Sequence, residues 1–153
     1  MLYFIYGTLK KGCINHELIK NCKFVHTAIT DGYIYENNIP FFVPGQKEYI
    51  CEYGTTNYQE DVRRYTHCSR KLNNFKPEHS VYGEVYEIYD YHTWGSLDYL
   101  EGFSDTDSDL YKRFLYPVLI NNRLDHAWIF GLLDFNTKDY DFLELNNWGR
   151  YTC

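Results

Sequence analysis

The 153-residue chain has the length of one ordinary domain, residues 1–153, and carries a net charge of −6. Hydrophobic residues make up 44% and charged residues 24% of it, which predicts a folded core and excludes a largely disordered chain. The acidic balance argues against a nucleic-acid-binding surface, because such surfaces need an excess of Lys and Arg.

The chain opens with a predicted strand and a glycine-bounded loop. Residues 2–6 (L-Y-F-I-Y) form a continuous apolar run, which is typical of a buried strand. Gly7 ends this run, and Gly12 closes the loop that follows it. After the loop, the pattern predicts a short helix over residues 14–20. Two strands are predicted over residues 23–29 and 31–35, joined near Asp31-Gly32, and an irregular edge or loop over residues 39–45.

The second half of the chain contains the clearest periodicity. Residues 46–80 fit neither a helical nor a strand period, whereas residues 81–89 (V-Y-G-E-V-Y-E-I-Y) alternate strictly and predict a strand. Residues 93–101 predict a short helix that ends at Gly102. Two further strands are predicted on either side of an Asn121-Asn122 turn, over residues 111–120 and 126–133. Two helices among mostly strands predict an α+β fold, with a mixed sheet that curls toward a barrel.

The loop Y-G-T-L-K-K-G, residues 6–12, is the first candidate binding element. A strand that runs into a glycine-bounded loop exposes successive backbone N–H groups, and a small residue lets a ligand approach them. Such a loop can bind a carboxylate or carbonyl oxygen, with Lys10 and Lys11 adding positive potential. Taken alone, the pattern favours the alternative, an ordinary tight turn after a strand. A nucleotide P-loop is excluded, because Cys13 and Ile14 stand where Lys and Ser or Thr are required.

The segment L-D-Y-L-E-G-F, residues 97–103, is the second candidate. Asp98 and Glu101 are three residues apart and are predicted to share one helical face. Glu101 stands at the helix end close to Leu100 and Phe103, where partial loss of solvent raises the pKa of a carboxyl group. A carboxyl group with a raised pKa can move protons near neutral pH. The alternative is a solvated helix end with two exposed acids.

No metal or cofactor site is predicted. Residues 105–109 (D-T-D-S-D) resemble the opening of a calcium loop, but Leu110 takes its glycine position and Tyr116 its bidentate Glu position. The six histidines show no metal-ligand spacing with one another or with cysteines. His67 next to Cys68 is weak support for thiol catalysis, because adjacent residues of a strand point apart.

The cysteines predict a reducing environment. Their number is odd, no C-x-x-C occurs and no secretory signal precedes them; they are Cys13, Cys22, Cys51, Cys68 and Cys153. We therefore expect free thiols without a disulfide, and a cytoplasmic location. No apolar run approaches the ~20 residues that span a membrane, so no membrane association is expected.

Five segments, in order, resemble the γ-glutamylcyclotransferase-like (AIG2-like) family. Its Y-G-[ST]-L-x-x-G signature matches residues 6–12, and its G-x-[LV]-Y-x-[IV] strand matches residues 83–88. Its L-D-x-x-E-G element matches residues 97–102. A Y-x-R-x-x-x-x-V segment and an A-x-[VI]-Y strand follow in the family, here at residues 111–118 and 127–130, with Phe at position 130 in place of Tyr.

The resemblance implies a small mixed β-barrel with flanking helices, and it implies roles for particular residues. Glu101 would be the catalytic acid and base. The substrate-binding residues would be Tyr6, Gly7, Thr8, Leu9 and Tyr111, with Asp98 in a structural role. No cofactor is implied.

The implied reaction is the release of 5-oxoproline from a γ-glutamyl amine or peptide, a small-molecule substrate. Its α-amino group would attack its own γ-carbonyl carbon. Three alternatives stay open: a small-molecule binding module that uses the same cavity, removal of a γ-glutamyl group from another amine, and an interaction protein with a Tyr-rich surface.

Overall fold

The structure, a computed structural model, describes residues 1–68, 75–134, 141–142 and 146–149. Its strands are β1 (Leu2–Ile5), β2 (Lys23–Asn37), β3 (Ile39–Pro44), β4 (Glu52–Tyr53), β5 (Ser80–Glu87), β6 (Lys112–Ile120), β7 (Arg123–Gly131) and β8 (Asp141–Phe142). Its α-helices are α1 (Tyr58–His67) and α2 (Tyr91–Glu101), and two 3₁₀ helices span His16–Ile19 and Lys47–Tyr49.

Strands β2, β5, β1, β7 and β6 form a closed barrel, because β2 also pairs with β6. Ala28 and Ile29 of β2 lie opposite Ile120 and Leu119 of β6 at this closure. Strands β1 and β7 are parallel, whereas the other neighbouring pairs of the ring are antiparallel. The predicted α+β fold with a small mixed barrel and flanking helices is confirmed.

Hydrophobic clusters cover both faces of strand β1, which explains its continuous apolar sequence. Its neighbours in the sheet are β5 and β7, and Tyr3, Phe4 and Ile5 are almost fully buried. Tyr3 and Ile5 pack into the cluster beneath α2, and Phe4 packs into the cluster on the other face of the strand. Burial on both faces is typical of strands that read as unbroken apolar runs. The loop after β1 therefore starts from a rigid position in the core.

One continuous strand, β2, replaces the two strands predicted on either side of Asp31-Gly32. The strand pairs with β5 as far as Asp31 and with β3 from Gly32 onward. The Asp31 carboxylate accepts hydrogen bonds from the backbone N–H groups of Glu78 and His79, at 2.7 and 2.9 Å. An Asp-Gly pair favours turns because Asp bonds to nearby backbone. Here Asp31 bonds to distant backbone, so no turn forms.

The predicted helices differ in their outcome. Helix α2 is confirmed, and it ends at Gly102 in the left-handed conformation, with φ of 64°. The segment 14–20 contains only a short 3₁₀ helix, because Ile14 is 83% exposed and forms no apolar stripe with Leu18. The turn at Asn121-Asn122 is confirmed, with both residues at positive φ. The described residues contain no helix with the length and apolar character needed to cross a membrane.

The middle segment, which fits no period, contains helix α1. Asn57 caps this helix by accepting hydrogen bonds from the backbone of Gln59 and Glu60. Its buried residue is Asp61 rather than an apolar side chain. Tyr58 and Tyr65 pack against the core but are only partly buried, so the helix has no fully buried apolar stripe to reveal it.

The prediction of free cysteines is wrong. Cys51 and Cys68 form a disulfide, and Cys13 is also disulfide-bonded. Cys22 is a free thiol, and Cys153 lies outside the described residues. Cys68 caps the C-terminal end of α1, and the helix returns this end to Cys51, which directly precedes β4. A separation of 17 residues carries no recognisable spacing, so only the path of α1 reveals this pair.

Candidate active site

A cavity of about 150 Å³ opens where β1 runs into its loop. The six residues that the resemblance assigns to catalysis or substrate binding line it together: Tyr6, Gly7, Thr8, Leu9, Glu101 and Tyr111. Lys10 and Lys11, which were expected to add positive potential to the loop, do not line it. Tyr3, Asn15, Pro40, Leu100 and Phe130 also contribute to its wall. Two segments about ninety residues apart in the chain therefore meet at one concave site.

The loop after β1 lines this cavity and contains backbone N–H groups that bond to no described residue. Its own hydrogen bonds run from the N–H of Lys10 to the Gly7 carbonyl, and from the N–H of Asn15 to the Thr8 carbonyl, both at 3.0 Å. Asn15 Nδ2 also donates to Thr8 Oγ1 at 2.9 Å. Within the described part of the chain, the N–H groups of Gly7, Thr8 and Leu9 donate to no acceptor. Successive free N–H groups form a concave site for an anionic or carbonyl oxygen.

Gly7 is required by the close approach of β3. A Cβ atom at this position would lie 2.6 Å from Cγ of Pro40, which also lines the cavity. A side chain here therefore has to push β3 away from the loop.

We expect Gly7→Ala to destabilise the protein by about 1–3 kcal/mol, the usual cost of overpacking, and to weaken ligand binding. Urea denaturation measures the first effect. Gly95→Ala is the matched control, because a Cβ at Gly95 on helix α2 meets open space. That change should stabilise the protein by about 0.5–1 kcal/mol. Equal stabilities of the two variants would contradict the steric argument.

Glu101 is the last residue of α2 and faces the cavity. Burial raises the pKa of its carboxyl group from 4.5 to about 7. No hydrogen bond or ion pair to this carboxyl group occurs among the residues that the structure describes. A carboxyl group with this pKa and no fixed partner can both accept and return a proton near neutral pH.

A buried ion-pair cluster centred on Arg113 of β6 fixes the helix that carries Glu101. The guanidinium donates to the carboxylate of Asp98, one turn before Glu101, and at 2.6 Å to Asp61 of α1. Its carbon also lies 4.3 Å from the ring centre of Trp94 and 5.0 Å from that of Phe103. Burial raises the pKa of Asp98 to about 6, although Arg113 opposes this shift. Asp98 thus orients α2, in agreement with its expected structural role.

Residues of the middle segment, 46–80, hydrogen-bond to this cluster on the side away from the cavity. Asp61 accepts hydrogen bonds from the backbone N–H of Thr55 at 2.8 Å and from Nε1 of Trp94 at 3.0 Å. The Arg113 side chain also donates to the Thr55 carbonyl. No described residue of segment 46–80 lines the cavity itself. This segment therefore acts on the site by holding Arg113 and α2 in place.

Tyr3 is a residue of the cavity wall that the sequence did not reveal. Its ring is 2% exposed and packs edge-on against Trp94, and its hydroxyl group has no hydrogen-bond partner among the described residues. The residue lines the cavity, where a ligand could bond to that hydroxyl. Strand alternation places Tyr3 and Ile5 on one face of β1, and this is the sequence pattern from which the position of Tyr3 beside the cavity could have been predicted.

Tyr6 and Tyr111 form aromatic walls of the cavity. Tyr111 stacks on Phe41 with ring centres 5.7 Å apart, and Tyr6 packs against Phe42 at 5.6 Å. Burial raises the pKa of Tyr6 well above 10, with smaller contributions from Tyr111 and Glu101. Tyr6 therefore stays neutral at physiological pH and can serve as a hydrogen-bonding wall.

Three solved structures share this fold. Uncharacterized protein PH0828 from Pyrococcus horikoshii is 18% identical with a TM-score of 0.58, over 96% of this chain and 88% of that one. An AIG2-like protein from Mus musculus is 18% identical with a TM-score of 0.59, over 94% and 85%. YkqA from Bacillus subtilis is 21% identical with a TM-score of 0.58; the match covers 96% of this chain but only 39% of YkqA.

The sequence comparisons identify the family. No curated protein sequence matches the chain. A family model, Gamma-glutamyl cyclotransferase, AIG2-like, matches residues 55–150, more than half of the chain. The matched part includes Glu101 and Tyr111 and begins after the loop at residues 6–12. With the motifs and the barrel in agreement, the chain belongs to the γ-glutamyl cyclotransferase, AIG2-like family.

Proposed function

We propose that the protein is an enzyme that releases 5-oxoproline from a γ-glutamyl amine or peptide. One observation carries the proposal: Glu101, a carboxyl group with a pKa of about 7, faces the cavity that Gly7–Leu9 also line, and neither this carboxyl group nor the N–H groups of Gly7–Leu9 bond to any described residue. The first can move protons, and the second can hold an oxygen that gains negative charge.

The reaction is an intramolecular aminolysis. Glu101 takes a proton from the substrate's α-ammonium group, and the freed amine attacks the γ-carbonyl carbon to close a five-membered ring. The carbonyl oxygen gains negative charge in this step and is stabilised by backbone N–H groups of the loop. Glu101 then returns the first proton to the leaving amine as its C–N bond breaks. The ring nitrogen loses the second proton of the former ammonium group, and the released amine or solvent takes it up. The products are 5-oxoproline and the free amine, and no water is consumed.

The cavity size suits the glutamyl half of such a substrate. Sites for drug-sized ligands measure about 300–1,000 Å³, whereas this cavity has about 150 Å³. A small concave site can hold the acyl group in a folded conformation, which favours ring closure by proximity. The leaving amine would then extend toward the cavity mouth, where it has room to vary.

A screen of γ-glutamyl amides and γ-glutamyl peptides for 5-oxoproline release tests the proposal. We expect release from at least one compound, with the α-amino group required, so the N-acetylated analogue should be inert. Release of free glutamate instead would indicate hydrolysis of the amide. Tight binding of a γ-glutamyl amide without any turnover would indicate a binding module.

The pH dependence of the reaction should report Glu101. The carboxyl group must be ionised to act as a base, so kcat/KM should rise with pH through about 7 and level off above it. Steady-state rates at pH values between about 5 and 9 measure this rise. The substrate's own amine titrates at higher pH, since the pKa of an α-amino group is about 8. A profile without an inflection near 7 would contradict the role of Glu101.

A further inference from the structure

We propose that Cys51, Cys68 and His126 form a zinc site when the Cys51–Cys68 disulfide is reduced. The site does not depend on the proposed function, because none of the three residues lines the cavity that contains Glu101. Its ligands would be two thiolates and one imidazole, a donor set that suits Zn²⁺.

The fold brings the three side chains together from separate elements. Cys51 directly precedes β4, Cys68 caps α1, and His126 lies on β7. One ligand atom from each lies within 4.8 Å of the other two. Zinc–sulfur bonds of about 2.3 Å place two sulfurs about 3.8 Å apart around a tetrahedral ion. Opening the disulfide therefore has to separate the sulfurs by about 2 Å.

A second observation concerns His126. Its Nε2 atom is buried and has no hydrogen-bond partner among the described residues. Buried ring nitrogens normally have a partner, so this atom lacks one that a bound ion could supply. The three residues are each only partly buried, so the cluster is not deep in the core.

The thiol chemistry makes the disulfide and the zinc site mutually exclusive. Two molecules of a small thiol reduce the Cys51–Cys68 bond by donating two electrons, and they leave joined as a disulfide while Cys51 and Cys68 become thiols. Zinc then displaces one proton from each of the two thiols and forms two Zn–S bonds and one Zn–N bond. Water can occupy the fourth position. Exchange with a small-molecule disulfide, which accepts two electrons and is reduced to two thiols, restores the S–S bond and releases the ion.

The test uses the chain with Cys13, Cys22 and Cys153 replaced by Ser, so that Cys51 and Cys68 are its only thiols. Zinc is titrated against a chromophoric chelator, before reduction and after reduction with subsequent removal of the reductant. We expect one equivalent of zinc to bind the reduced protein and none to bind the oxidised protein. Cobalt added instead should give the thiolate charge-transfer absorption of a Co²⁺–sulfur bond.

Two histidine variants separate a built site from casual thiol binding. His126→Ala should weaken zinc binding by about 100-fold or more. This loss of affinity exceeds that expected for a residue that only hydrogen-bonds to a metal ligand. His67→Ala is the matched control and should change nothing: it adjoins Cys68, but its Nδ1 atom already lies 2.7 Å from the Arg63 carbonyl.

Three results would overturn the proposal: no zinc bound to the reduced protein, equal binding to both redox forms, or unchanged affinity in His126→Ala. If the triple-Ser protein does not fold by circular dichroism, the reduced full-length chain is compared with its Cys51→Ser, Cys68→Ser double variant. Equal zinc stoichiometry of those two proteins would also exclude the site.

Discussion

Glu101→Gln should lower kcat on a confirmed γ-glutamyl substrate by about 10²-fold or more, the usual effect of losing a general acid and base. Gln keeps the size of the side chain but cannot accept a proton at neutral pH. The loop at Gly7–Leu9 is unchanged, so KM should change little. Steady-state kinetics of 5-oxoproline release measure both constants. A variant that retains most of its turnover would remove Glu101 from the mechanism.

The same variant should be more stable than the wild type, and only at higher pH. Folding raises the pKa of Glu101 from 4.5 to about 7, so the native state binds the proton more tightly than the unfolded state. The protonated carboxyl group of Glu101 therefore does not destabilise the native state below pH 4.5, whereas the free energy of unfolding falls as the pH rises from 4.5 through 7 and the buried group ionises. Gln does not ionise, so the free energy of unfolding of Glu101→Gln should exceed that of the wild type by about 3 kcal/mol at about pH 8 and by almost nothing at about pH 4. Urea denaturation at the two pH values measures the difference.

Asp98→Asn is the control for Glu101→Gln. Asp98 lies one turn earlier on α2 but binds Arg113 and does not line the cavity. This change should therefore reduce stability and leave the folded protein with most of its kcat. A loss of kcat in the folded Asp98→Asn protein equal to that of Glu101→Gln would mean that the two carboxylates act together.

Among the substitutions proposed for this protein, Arg113→Met should cause the largest decrease in the free energy of unfolding, about 3–5 kcal/mol. Arg113 is fully buried, and its removal leaves the carboxylates of Asp61 and Asp98 without their cation. Since domains are stable by only about 5–15 kcal/mol, much of the population would unfold on mild warming. Chemical denaturation and thermal unfolding, followed by circular dichroism, measure the loss.

Two comparisons make the Arg113 result specific. Arg63 also pairs with a carboxylate, that of Glu60, but its side chain is 62% exposed, so Arg63→Ala should cost less than about 1 kcal/mol. Adding Asp61→Asn and Asp98→Asn to Arg113→Met should recover part of the stability, because the uncompensated charges are gone. An Arg113→Met loss no larger than that of Arg63→Ala would mean that the buried cluster contributes little.

Local patterns predicted the elements whose burial follows a regular period. Strand β1 is buried on both faces and appears as an apolar run, and β5 alternates because its two faces differ in burial. Helix α2 ends where Gly102 can adopt a positive φ. In each case the information lies within a few consecutive residues, because backbone geometry sets which side chains share a face.

Elements stabilised by distant partners were mispredicted or missed. The Asp31-Gly32 pair resembles a turn, but Asp31 bonds to the backbone of Glu78 and His79 instead. Helix α1 buries Asp61 against Arg113, 52 residues away in sequence. The Cys51–Cys68 disulfide depends on where α1 ends. None of these pairings leaves a short-range pattern, because their partners meet only in the folded chain.

The sequence by itself determined the class of the fold, the family motifs and the residues most suited to chemistry. A carboxylate at a glycine-terminated helix end and a glycine-bounded loop after a buried strand are local features that do not require the rest of the chain. Tertiary structure decided whether they meet. The closed barrel brings Glu101 to the loop at Gly7–Leu9 and buries its carboxyl group enough to raise the pKa to about 7. Burial and proximity across about ninety residues depend on packing of the whole chain, which no local pattern encodes.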